Sequence, residues 1–165
     1  MGNFDIREEI PVKSFSIAAF ICRVVDDEAQ YLIIKRSSRT LYGSWQMVSG
    51  QVEPGENGVQ AALREVKEET GLVPSIFYSA NLCEQFYDTD YNVINLVPVF
   101  VAFVDNKSNV VLNDNEHSDY KWISIEEAED YLIFDNQIKN MHHIDKMFIK
   151  REPNPFLEIK IHDYI

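Results

Sequence analysis

Basic residues are scarce in this chain: 15 Lys and Arg stand against 27 Asp and Glu, a formal net charge of −12. So acidic a surface repels nucleic-acid backbones and anionic membranes, which excludes both as expected partners. An anionic small molecule would need a bound cation or a few local Arg and Lys to overcome the same field. Acidic surface also serves plain solubility, so charge alone does not decide. Cysteine is nearly absent. Cys22 and Cys83 form no CxxC pair and sit in apolar or mixed runs, where buried, reduced thiols and a cytoplasmic setting are the expectation. Long apolar runs are missing as well: Phe15 to Cys22 and Leu96 to Val104 are too short to span a bilayer. The opening MGNFDIREEIPVK has no signal-peptide core, and Ile6 stands where a myristoylation motif needs Ser or Thr. No Walker loop, HExxH motif, internal repeat or low-complexity tract occurs.

What is present is a 165-residue sequence, 45% hydrophobic and 25% charged, the composition of one globular domain spanning residues 1–165. Phe15 to Val25 reads as a strand, Asp26-Asp27-Glu28 as a turn and Tyr31 to Lys35 as the hairpin partner. Ser37 to Ser44 is a loop, and Trp45 to Val48 a short strand leading into Gly50. From Asn57 to Thr70 the apolar residues Val59, Ala62, Leu63 and Val66 recur at helical spacing. Pro54-Gly55 bars an earlier start, and Gly71 suits a left-handed stop. Ser75 to Phe86 and Val93 to Val104 read as long strands joined through Asp88-Thr89-Asp90. Tyr120 to Ile123 is a short strand. Ser124 with Glu127 fits a capping box, Asp135 to Ile149 a last helix, and residues 152–165 a tail that either pairs as an edge strand or docks loosely. Strands around a mid-chain helix, with further helices late, predict an α/β/α sandwich with a mixed β-sheet.

The chemistry lies in Gly50 to Leu72, GQVEPGENGVQAALREVKEETGL. Glu65, Glu68 and Glu69 fall at i, i+3 and i+4, and so cluster on one side of the expected helix. Each exposed like-charge pair costs roughly 0.3 kcal/mol, and the C-terminal half of a helix disfavours anions. A solvated acidic face, eased by Arg64 and Lys67, is the ordinary explanation. A carboxylate nest for Mg²⁺, which takes oxygen ligands, waters and substrate phosphates, is the other. The preceding loop favours the second: Gly50 and Gly55 allow backbone carbonyls near an ion, and Arg64 can fold back onto Glu56.

Gly50, five residues, Glu56, seven residues and then Arg64-Glu65-Val66-Lys67-Glu68-Glu69-Thr70-Gly71-Leu72 resembles a complete Nudix box over residues 50–72. The resemblance implies an α/β/α fold, Mg²⁺ (with Mn²⁺ as a substitute) and hydrolysis of a phosphoanhydride bond. It implies Glu65, Glu69, Glu68 and the Gly50 carbonyl as metal ligands, with Glu56 and Arg64 holding loop to helix. One carboxylate would accept the proton of the attacking water.

Ser44 to Gly50, Asn115-Glu116-His117 and Tyr120-Lys121-Trp122 resemble the dATP pyrophosphohydrolase and dihydroneopterin triphosphate pyrophosphatase branch of the family. There Glu116 would complete the metal site, while Arg36, Ser49 and Asn136 would contact the substrate, a small nucleotide or pterin triphosphate. ADP-ribose, a dinucleoside polyphosphate or a sugar nucleotide is the alternative substrate. A nucleotide-sensing module without hydrolysis is the rival class, which typically loses box glutamates that are all present here. Family members occur as monomers and homodimers, and both states stay open. Trp45, Tyr42 and Phe86 read as core rather than as base-stacking residues, and His142-His143 as surface or packing.

Overall fold

The computed structural model describes residues 9–165. The reading of the chain's opening falls largely on residues 1–8 and lies outside the described residues. Among the described residues nine strands form one mixed sheet: β1 (Val12–Lys13), β2 (Ser16–Val25), β3 (Glu28–Arg36), β4 (Trp45–Gln46), β5 (Val48–Gln51), β6 (Ile76–Asp88), β7 (Val93–Phe103), β8 (His117–Ile123) and β9 (Glu158–Ile159). The helices are α1 (Gly58–Thr70), α2 (Ala128–Tyr131) and α3 (Asp135–Ile144).

The β2–β3 hairpin turns on Asp26 and Asp27, both at positive φ (50° and 65°), the geometry whose twist matches two-residue hairpins. Glu28, expected in the turn, already pairs with Val25. Strand β2 is central and runs parallel to β7, with Ala18 opposite Val99 and Cys22 opposite Phe103. On its other side β2 changes partner part-way. Ser16 to Ala19 pair with β5, whereas Cys22 to Val25 pair with β3. That fork opens the sheet where the site lies.

Both faces of the sheet are covered, so β2 and β7 read as continuous apolar runs. Ile17, Ala19, Ile21, Phe100 and Ala102 join Ala61, Ala62, Leu63 and Val66 of α1 in one core. Ala18, Phe20, Cys22, Val99 and Val101 pack with Met141, Ile144 and Phe148 in the other. The α/β/α expectation holds.

Several sequence-based expectations change in detail. The strand expected at Trp45 to Val48 is broken at Met47, with β4 pairing to β3 and β5 to β2. The last helix is α-helical only to Ile144 and continues as a wider π-type turn from Asp145 to Ile149. The tail resolves to an edge strand, Ile159 opposite Phe77. Cys22 is buried as expected, but Cys83 is exposed. It lies along a stretch of β6 where Asn81 and Gln85 are exposed too. None of the described helices is long and apolar enough to cross a membrane.

Candidate active site

Helix α1 begins and ends through its own sequence. Asn57 Oδ1 accepts from the Val59 and Gln60 amides, and the Gln60 side chain accepts from the Asn57 N–H, a reciprocal cap. Gly71, at φ 69°, closes the helix by donating to the Lys67 carbonyl. Between these ends Arg64 acts as a hub. Its guanidinium donates to both carboxylate oxygens of Glu56 (2.7 and 3.0 Å), to Glu65 (2.8 Å), to Glu68 (3.0 Å) and to the Gln51 carbonyl (2.9 Å). Glu56 also accepts from the Glu53 amide, so its carboxyl is held below the usual range, chiefly by Arg64.

Glu65 and Glu68 accept from the same Arg64 nitrogen, so their carboxylates lie together, while Glu69 takes a different course. Glu69 points inward and is 4% exposed, whereas the Glu68 side chain is 57% exposed and turned to Arg64. Adjacent helix positions differ by about 100° in direction, which separates these two side chains. Glu65 lies beside Gly50 so closely that a Cβ there would sit 2.1 Å from its carboxyl carbon. Only glycine lets this carboxylate rest against the β5 backbone.

The segment after β7 brings a further acid to Glu69. Val111 N–H donates to the Thr70 carbonyl (2.8 Å) and Asn113 N–H to the Glu69 carbonyl (3.2 Å), so the loop satisfies acceptors that a helix C-terminus leaves free. Asn113 in turn accepts from the amides of Glu116 and His117, and the Glu116 carbonyl accepts from Ser37 N–H (2.9 Å). Ligand atoms of Glu69, Glu116 and His117 thereby come within 4.8 Å of one another. His117 Nε2 lies 3.4 Å from Glu69 Oε1.

These residues fit a divalent cation. Glu69 Oε2 and both His117 ring nitrogens are buried without a hydrogen-bond partner, a costly arrangement unless something else satisfies them. Burial pushes the Glu69 carboxyl up, with Glu116 adding to the effect and His117 and Arg36 opposing it. Burial also raises Glu65, partly offset by Arg64. Oxygen donors from two elements, with the Gly50 backbone alongside, are the donor set hard cations take.

Arg36, Ser49, Gly50, Glu69, Glu116 and Asn136, all singled out in the sequence, line one cleft of about 590 Å³. Arg36 is held by bonds to the Thr40 carbonyl and Ser38. Glu56, Arg64 and Glu68 face a separate depression bordered by Tyr164 and Ile165. Phe86, read as core, is 44% exposed and lines the cleft. Sequence reasoning also passed over His117, whose only signal was its neighbour Glu116, and Glu84, a lone acid within a strand.

Comparison with known proteins agrees with this geometry: residues 15–148 match the NUDIX domain. The chain belongs to the Nudix family. It is a Nudix pyrophosphohydrolase, an enzyme that hydrolyses phosphoanhydride bonds. It is similar to the nucleoside triphosphatase NudI of Klebsiella pneumoniae subsp. pneumoniae, 28% identical over 120 residues that cover 67% of this chain and 84% of that protein. The MutT protein of Methanosarcina mazei Go1 superposes with a TM-score of 0.68 at 26% identity, over 85% of this chain and 97% of that one. An Ap4A hydrolase of C. elegans has the same fold, with a TM-score of 0.68 at 23% identity over 79% and 94% of the two chains.

Proposed function

We propose that the protein is a Mg²⁺-dependent pyrophosphohydrolase that cuts a nucleoside or pterin triphosphate between its α and β phosphorus atoms. Mn²⁺ would substitute, and the branch is that of the dATP and dihydroneopterin triphosphate enzymes. The convergence of Glu69 and Glu116 from separate elements onto one cleft, with Glu69 Oε2 left unpartnered, carries this reading. The similarity to a nucleoside triphosphatase supports the substrate class.

Glu65, Glu69, Glu116 and the Gly50 carbonyl would hold the metal, with Glu68 reaching it through water. A bound divalent ion would neutralise phosphate oxygens and lower the pKa of a water molecule. Arg36 and Ser49, on the wall of the same cleft, would bind the phosphate chain. Arg64 and Glu56 lock the loop before α1 against the helix, which keeps Glu65 oriented. His117, buried with its Nε2 3.4 Å from Glu69 Oε1, would position that carboxylate once protonated at that nitrogen. Water oxygen attacks phosphorus, the bond to the departing pyrophosphate breaks, and a carboxylate of the site takes the water's proton. Residues 1–165 would form a single domain, and the free thiols Cys22 and Cys83 suit a reducing cytoplasm.

The test is a Mg²⁺ assay against dNTPs, dihydroneopterin triphosphate, ADP-ribose and diadenosine polyphosphates, with phosphorus products identified. Pyrophosphate from a triphosphate is expected. Two monophosphates from ADP-ribose, with the triphosphates left intact, would replace this substrate class.

A further inference from the structure

At the end of the cleft formed by α3 lies a buried acid with no role in metal binding. Glu84, on β6, is 9% exposed and lines the cleft with Gln46, Asn136 and Gln137. A carboxylate buried to this degree is usually matched by Lys or Arg. Here its partner is a neutral amide instead. Asn140 Nδ2 donates to Oε2 at 3.3 Å. Asn136, on the same cleft wall, has its Oδ1 occupied by the Gln137 N–H (2.9 Å). One donor holds the carboxylate and leaves it unused acceptor capacity, since an ionised carboxylate offers about four lone-pair sites.

Two more polar atoms of this lining are buried without partners: Gln46 Nε2, a donor, and Gln137 Oε1, an acceptor. With Glu84 they make one donor and two acceptors. Phe86 and Phe134, 44% and 41% exposed, border the same space as flat apolar walls. Unpaired buried groups penalise any ligand that fails to complement them, and this is where polar specificity comes from.

We propose that Glu84, with Gln46 and Gln137, selects a substrate ring whose edge carries a carbonyl followed by two adjacent N–H donors. This rests on reading the cleft as a triphosphate site. The 2-amino-4-oxopyrimidine edge, shared by guanine and pterin, has that pattern: its carbonyl takes the Gln46 donor, and its ring N–H and amino group meet Glu84 and Gln137. Adenine presents a ring nitrogen lone pair where the pattern needs an N–H, and so confronts the carboxylate with a second acceptor. Either ring can pack against Phe86 and Phe134, leaving discrimination to the polar edge.

The experiment compares kcat/KM for dGTP, dihydroneopterin triphosphate and dATP, with Mg²⁺, in wild type, Glu84→Gln and Gln137→Leu. Wild type is expected to prefer dGTP or the pterin over dATP by about 100-fold, as one bidentate pair allows. Whichever of the two is faster identifies the source of the ring. Glu84→Gln should lose about 100-fold on the preferred substrate while dATP changes little. Gln137→Leu, which leaves the acid in place, should lose about tenfold on the preferred substrate while dATP again changes little. Triphosphate hydrolysis with no preference for the two rings overturns the assignment of Glu84 and leaves the proposed function standing. Equal losses on all three substrates, in variants that melt like wild type, overturn it too. Failure of every triphosphate overturns the underlying reading itself.

Discussion

The carboxyl group of Glu65 occupies the volume where a side chain at Gly50 would begin, 2.1 Å from an ideal Cβ. The three nearest atoms all belong to the Glu65 side chain, so Gly50→Ala can fold by swinging that side chain aside. The expected result is a loss of about 100-fold in kcat/KM, the scale of an ångström's misplacement, with a nearly unchanged melting temperature. Steady-state kinetics beside a thermal melt check this. Wild-type activity in the alanine variant would mean that Glu65 takes no part at that position.

Glu69→Gln keeps the size and polarity of the buried side chain beside His117 but removes its charge. Turnover should fall by several orders of magnitude while the fold persists. Glu116 is exposed at the mouth of the cleft, and Glu116→Gln should instead shift the Mg²⁺ titration to about tenfold higher concentrations. A titration that overlays wild type would leave Glu116 as ordinary surface.

Arg64 makes its bonds through a planar fork, which lysine cannot reproduce. Arg64→Lys is expected to lower the melting temperature by several degrees. The pH dependence has a defined sign. Arg64 depresses the Glu56 carboxyl below its ordinary 4.5. Stability from that pair is therefore fully present above about pH 4.5 and lost as pH falls through the lower folded value. The gap in melting temperature between wild type and Arg64→Ala should be full at pH 7 and shrink in stronger acid. A gap that widens in acid would contradict the pairing.

Asn57 caps α1 through two amides and receives Gln60 in return. Asn57→Ala should cost about 1 kcal/mol, seen as a fall of a few degrees in a thermal melt.

The box helix was legible in the sequence because its signals are local: the Pro54-Gly55 break before it, a stripe at Val59, Ala62, Leu63 and Val66, and a terminal Gly71. The β2–β3 hairpin was legible for the same reason. Strand order was not, since Ala18 meets Val99 across the whole box and no local pattern records that choice. Nor was the fork of β2 between β5 and β3, which sets the cleft. Glu68 and Glu69 looked alike as letters in an acidic run, and only burial separates them. Glu84 was hidden further by a register shift in β6 between Ser79 and Cys83, beyond which it faces Val97 and the α3 layer.

The amides of Val111 and Asn113 that close the C-terminus of α1 make the helix end and the Glu116 loop one mechanical unit. Length changes in that loop are therefore not equivalent. Extra residues at the exposed Asn106-Lys107 turn lie upstream of the anchor and leave Glu116 at its station. A single residue added between Asn113 and Glu116 would break the tight turn through which Asn113 receives both following amides, and would slide the acid off the cleft. A fluorescent label or a grafted peptide belongs in the former stretch, where it can report on the enzyme without disarming it.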